Sequence, residues 1–247
     1  MQHGGVHVPL GYSDKHVGPA WLDLLMPLLD ENLSLMRCGS DPLADRGEPA
    51  SNYVISGGVN GSNSYSRQVG SSYGAAVPLT GITDGLSNTA AFSEKLVNPF
   101  YIRATGTTDE YERQPLRYQW YTQTAYRGVN SILEKFATEC QNNRTGPGLS
   151  NDASLFQLIE FGGGRYDHLL PPNSPSCLNG PLTFDQSGSR DANLFTKAGY
   201  TATSLHAGGV VNVAFADGRV QGVVPSISLS TWRAMGTIAG GELVEGF

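Results

Sequence analysis

The chain is poor in charge and has no cationic runs. Of its 247 residues, 16 are Lys or Arg and 22 are Asp or Glu, a net charge of −6, and only 15% are charged at all. A nucleic-acid binder carries a clustered basic footprint, so that class of partner is excluded. Long apolar runs are absent too. The best candidate, Trp21 to Leu29, is interrupted by Asp23 and Pro27 and falls short of the ~18–20 residues of a membrane span. The opening MQHGGVHVPLGYSD has neither a basic n-region nor an apolar h-region, so no export signal is read from it. Gly162-Gly163-Gly164 is followed by no Gly-Lys-Ser/Thr, which argues against a phosphate-binding loop. His3, His7 and His16 lie in a lead without cysteine, a weak basis for zinc.

What is abundant is punctuation. There are 31 glycines and 14 prolines, roughly 18% of the chain against the ~12% of an average protein. The glycines follow no three-residue period, which rules out collagen, and 39% apolar residues argue for a packed core. The length suits one large domain.

Three cysteines, Cys38, Cys140 and Cys177, form no C-x-x-C pair, so neither a zinc knuckle nor a redox motif is indicated. An odd count allows one bridge and one free thiol, or three thiols. Cys140 (TECQNN) and Cys177 (PPNSPSC) lie in polar, turn-rich settings where a disulfide would staple loops, and such a bridge would imply folding outside the reducing cytosol.

Residues 1–18 read as an extended lead-in, followed by a single globular domain over 19–247. Trp21, Leu24, Leu25, Leu28 and Leu29 make the apolar stripe of an amphipathic helix kinked at Pro27. A short strand is expected at Tyr53 to Ile55, then a long excursion over 56–78. Thr83-Asp84-Gly85 is a turn, a strand begins over Thr89 to Phe92, and Asn130 to Ala137 reads as a helix. The segment from Phe100 to Tyr126 is expected to face partners or solvent. Near the end, Val211, Val213 and Phe215 alternate with smaller or polar residues before Asp217-Gly218. A two-residue turn would pair Ala216 with Arg219 and Phe215 with Val220, putting Val220 and Gly222 on the core face. Ser228 is placed to cap a helix through Trp232 and Met235.

Three kinds of site invite attention. Ser204, His206 and Asp217 offer the residue types of a hydrolytic triad, but a strand of about ten residues spans ~33 Å and Asp-Gly suits a turn, so no catalytic residue is assigned. Tyr118, Trp120, Tyr121 and Tyr126 with Arg117 and Arg127 could stack sugar rings or pack on a sheet. Asp84, Asn88 and Asp217 supply oxygens of the kind calcium takes.

Four strings, in order, resemble a family of planctomycete envelope proteins built like type II secretion pseudopilins. They are WLDLLMPLLDENL with Cys38-Gly39-Ser40-Asp41-Pro42; Thr83-Asp84-Gly85-Leu86-Ser87-Asn88-Thr89 with Glu94; Tyr166 to Cys177, including Pro171-Pro172-Asn173; and His206-Ala207-Gly208-Gly209 with Phe215-Ala216-Asp217-Gly218. There are departures: ten residues rather than nine separate His206 from Asp217, and Gly39 stands where the family has Pro. The family's basic leader, processing site and long apolar helix have no counterpart in this sequence.

The resemblance implies a pilin-like α+β headpiece with an antiparallel sheet, a C-terminal hairpin plus short helix, and long loops. It implies a non-enzymatic assembly subunit on the periplasmic or extracellular face of the envelope, contacting other pilin-like subunits or envelope proteins in a filament. Full-length relatives are anchored in the inner membrane. It also makes a calcium ion near Asp84 and Asp217 an expectation, with no other cofactor. The alternative is a secreted carbohydrate-binding module using the aromatic 117–127 segment.

Overall fold

Alternation in VNVAF builds the centre of the larger sheet. Val211, Val213 and Phe215 of strand β8 (Val211–Phe215) are buried, while Asn212 and Ala214 face the other way. In the computed structural model, which describes residues 34–43, 51–59, 77–97, 114–124, 133–150, 165–178, 180 and 198–242, β8 is flanked by β2 (Ala90–Glu94) and β9 (Val220–Val223), both antiparallel. β1 (Tyr53–Ser56) pairs antiparallel with β2 and parallel with the short β5 (Arg165–Tyr166), giving the order β5-β1-β2-β8-β9. The lead-in, the kinked helix at Trp21–Leu29 and most of the 56–78 excursion lie outside the described residues.

The hairpin forms one register away from expectation. Val213 pairs with Gln221 and Ala214 with Val220, and the Phe215 N–H donates to the Arg219 carbonyl. Three residues, Ala216 to Gly218, make the turn, with Gly218 at φ 88° supplying the left-handed position. That is the three-residue loop whose extra residue shifts the returning strand by one. Every side chain of β9 changes face as a result: Val223 is buried, and Val220 is 63% exposed. A second irregularity sits in β2, where the register shifts between Ala90 and Phe92. The bulge lets Ala90 and Ala91 both be buried and turns Phe92 outward.

Helix α2 (Leu229–Ala234) begins as its sequence dictates, with the Ser228 Oγ accepting from the Thr231 N–H at 3.1 Å. It drops Trp232 and Met235 onto Val54, Tyr166, Val211, Val213, Phe215 and Val223. Each such side chain, fully removed from water, contributes roughly 1.5–3 kcal/mol.

A second, smaller sheet has the order β4-β3-β6-β7, from β4 (Arg144–Ser150), β3 (Tyr118–Thr122), β6 (Ser176–Leu178) and β7 (Ala198–Gly199). β3 runs antiparallel to β4 and parallel to β6. Here the expectation of a partner-facing segment over 100–126 is corrected for β3, all five residues of which are buried; residues 100–113, 125 and 126 lie outside the described residues. Helix α1 (Leu133–Asn142) continues past the expected end at Ala137. It packs Phe136, Ala137 and Cys140 against Tyr118, Trp120 and Leu169. The Cys140–Cys177 disulfide, with Cα atoms 5.9 Å apart, ties α1 to β6, and Cys38 is the free thiol. The fold is α+β and β-rich. Among the described residues no helix is long and apolar enough to cross a membrane.

Candidate functional site

The motif residues singled out by sequence fall into two structural groups. The first surrounds the turn before β2. Asp84 accepts from the Gly240 and Gly241 N–H groups at 2.8 and 2.9 Å and from the Thr237 hydroxyl at 2.8 Å. Burial alone would raise its pKa, but these donors hold it below the usual carboxylate value. Gly85 accepts from the Thr89 hydroxyl, and Asn88 donates to the Asp84 carbonyl. The Ser87 carbonyl accepts from Arg219 at 2.6 Å. Asp217 caps its own turn, accepting the Arg219 N–H at 2.9 Å. The groups turned toward Asp84 are thus N–H and O–H donors, which suit a carboxylate and oppose a cation.

The second group holds the segment that carries His206. The Asn173 side chain accepts the Ser204 N–H at 2.8 Å and donates to the Gly209 carbonyl at 2.7 Å, clamping both ends of the turn at Ala207–Gly209. Pro171 and Pro172 lead into this bend, where the Pro171 carbonyl accepts the Ser174 N–H at 3.2 Å. The Ser204 hydroxyl donates to the Val210 carbonyl at 2.5 Å. Ser204 is thereby committed to the backbone, and Asp217 to its own turn, so the triad residue types do not assemble as a relay.

His206 instead meets Glu94 and a residue the sequence reading had not selected as a site, Cys38. The Nε2 of His206 is 3.0 Å from Glu94 Oε1 and 3.5 Å from Cys38 Sγ, and Sγ is 3.7 Å from the same Oε1. Glu94 stands on the outward side of β2, and Asn212 of β8 beside it donates its backbone N–H to Oε2 at 2.8 Å. The Asn212 amide nitrogen also lies 3.1 Å from Oε1 and 3.1 Å from Nε2. Cys38 is held by its N–H, which donates to Asn52 Oδ1 at 2.9 Å, and its Sγ lies 3.0 Å from the Ser40 hydroxyl. The Glu94 side chain is 4% exposed and that of His206 31%, so the cluster meets solvent from the histidine side.

This arrangement is not a nucleophile, base and orienter in series. A relay uses both ring nitrogens of its histidine, whereas here thiol and carboxylate converge on Nε2. Two signals in sequence pointed toward it: an odd cysteine in Cys-Gly-Ser-Asp-Pro, and a polar Asn in an otherwise apolar strand. Neither identifies its partners.

Tyr118, Trp120 and Tyr121, offered as sugar-stacking rings, are buried in the two smaller cores. The Trp120 face is covered by the Arg144 guanidinium at 5.1 Å, and the Trp120 Nε1 donates to the Pro115 carbonyl. Their amphipathic character is used inside the fold.

No curated protein and no solved structure matches the chain. A family model matches residues 12–230, a stretch that includes both sheets, Cys38, Glu94, His206 and Asn212, and the chain belongs to that family, described as "Protein of unknown function (DUF1559)".

Proposed function

We propose that the chain is a non-enzymatic, pilin-like head of the bacterial envelope, acting through contacts with like subunits in the manner of a type II secretion pseudopilin. The observation that carries this reading is the outward face of the larger sheet. The register sets Ile55, Phe92, Ala214 and Val220 in one row across four strands, and Phe92 and Val220 are 50% and 63% exposed. The row ends at β9, whose described pairing is with β8 alone. An apolar row that ends at an open strand edge is suited to burial against another chain. Repeated head to tail, such a heterologous contact extends into a filament. The disulfide supports a location outside the reducing cytosol. The resemblance set out above supplies the envelope context.

The test is photo-crosslinking from Phe92 or Val220 in envelopes of cells making the full-length protein. A ladder of subunit adducts is expected, and it disappears in the Phe92→Glu, Val220→Glu double variant while the monomer keeps its far-ultraviolet dichroism. Monomer alone at both crosslinker positions overturns the reading.

A further inference from the structure

We infer that Cys38, Glu94 and His206 form a zinc site with an open fourth position. Among the described residues these three are the group of His, Cys and acidic side chains whose ligand atoms lie within 4.8 Å of one another. Their separations are diagnostic. Tetrahedral zinc with bonds of about 2.3 Å to sulfur and about 2.0–2.2 Å to nitrogen and oxygen sets ligand atoms ~3.5 Å apart for sulfur to nitrogen or oxygen, and ~3.4 Å for nitrogen to oxygen. The three distances here are 3.5, 3.7 and 3.0 Å. Displacements of a few tenths of an ångström in these three atoms seat the ion once the Asn212 side-chain amide, whose nitrogen is 3.1 Å from both Oε1 and Nε2, turns off them.

The donor set selects the metal. Thiolate, imidazole and carboxylate together suit a borderline-soft ion, while calcium and magnesium take oxygen alone. The surroundings have the form of a supported site. The Asn212 backbone N–H holds Oε2, which keeps Oε1 pointed at the thiol and the imidazole. Asn173 clamps the turn that presents His206. Asn52 holds the Cys38 loop and is itself anchored, donating to Asp41 at 2.8 Å and to the Lys95 carbonyl at 3.0 Å. Partners of this kind orient ligands before the metal arrives. Three protein ligands leave one position for water or for a donor from another molecule, reached from the half-exposed His206 side.

The measurement is titration of the chelator-treated full chain with Zn²⁺ alone, followed by Co²⁺ substitution. One ion per chain is expected. The cobalt form shows the intense visible bands of a tetrahedral centre and a sulfur-to-cobalt charge-transfer band. Cys38→Ser removes the charge-transfer band, and His206→Gln weakens zinc binding by about 100-fold or more, since loss of even an outer-shell partner costs about 10–100-fold. Asp217→Asn leaves both unchanged. His206 is part-exposed, so its variant tests the site without emptying a core. Failure to bind Zn²⁺ stoichiometrically, or binding indifferent to both Cys38→Ser and His206→Gln, reduces the cluster to a hydrogen-bonded one and overturns the inference. Neither result bears on subunit assembly.

Discussion

Arg117 and Asp41, 76 residues apart in sequence, meet as a buried pair with Nη2 2.6 Å from Oδ1, their side chains 2% and 0% exposed. The pair fastens the Cys38 loop to the start of β3. Asp41 also accepts the Val97 N–H at 2.8 Å, and Arg117 donates to the Val97 carbonyl at 2.5 Å and to Gln114 at 2.7 Å. Burial would raise the Asp41 pKa, but Arg117 and the hydrogen-bond donors outweigh it and hold the carboxyl below its ordinary value. Removing one partner strands the other. Arg117→Met is expected to cost about 3–5 kcal/mol, and Asp41→Asn alone a comparable amount. Replacing both with apolar residues costs less than the sum, and a denaturant-unfolding double-mutant cycle reads the difference.

The disulfide closes a separation of 37 residues. Chain-entropy arguments put its contribution at about 3–4 kcal/mol. Cys140→Ser with Cys177→Ser is expected to lower the unfolding free energy by that amount, and thiol titration of the denatured chain should give one thiol before reduction and three after. An unfolding midpoint unchanged by the double substitution contradicts this.

Close approach governs one glycine in the loop after α2. A Cβ at Gly236 would sit 2.6 Å from Cγ of His168, itself fully buried with Nδ1 2.8 Å from the Trp232 carbonyl. His168 is wedged 4.2 Å from the Trp232 ring, centroid to centroid, and has nowhere to retreat. Gly236→Ala is expected to destabilise by roughly 1–3 kcal/mol, measured by thermal or urea unfolding. Gly241→Ala, with no atom within 4 Å of the added carbon, separates crowding from backbone strain at a position with φ 76°.

Two adjacent buried groups pull the pH dependence of stability in opposite directions. Burial lowers the His168 pKa to about 3, against the Trp232 carbonyl, which raises it. The unfolded chain therefore takes up a proton below about pH 6.5 that the fold refuses, and stability falls as pH drops. Burial pushes Asp167 up to about 7, opposed by the Tyr200 and Leu169 N–H groups and by the charges of Arg165 and Lys95. Between about pH 4 and 7 the fold keeps a proton that the unfolded chain gives up, so this contribution falls as pH rises. Asp167→Asn removes the second effect. Relative to the wild type, its unfolding free energy is expected to decline more steeply on acidification from pH 6.5 to 4, by up to about 1.4 kcal/mol per unit. Equal slopes would refute the opposition.

Local stereochemistry was legible before the fold. The alternation through Val211 to Phe215 did make a strand, the Asp217-Gly218 pair did make a turn, and Ser228 did cap α2, because each depends on residues within a few positions of one another. The strand at 53–56 and the one beginning near Ala90 were visible for the same reason. β3 was hidden. YQWYT mixes polar and aromatic residues without alternation, and it becomes a strand because β4 and β6 flank it and a disulfide-tethered helix packs against it. Among the site residues, Glu94, Asn173 and His206 were singled out as members of motifs. What each of them touches was not readable from those motifs.

Sequence alone settled which segments turn, which residues alternate, that charge is scarce, and that one cysteine must be left over from any pairing. Tertiary structure decided the hairpin register, where a single extra turn residue moved Val220 from the core face to the open one. It decided that the expected bridge between Cys140 and Cys177 closes, and that Cys38, Glu94 and His206 face one another across separations of 56 and 112 residues. The reason is physical. Turns and caps are determined by backbone sterics and hydrogen bonds within a few residues, whereas a convergent site depends on how distant segments bury their apolar faces together, and no local rule encodes that.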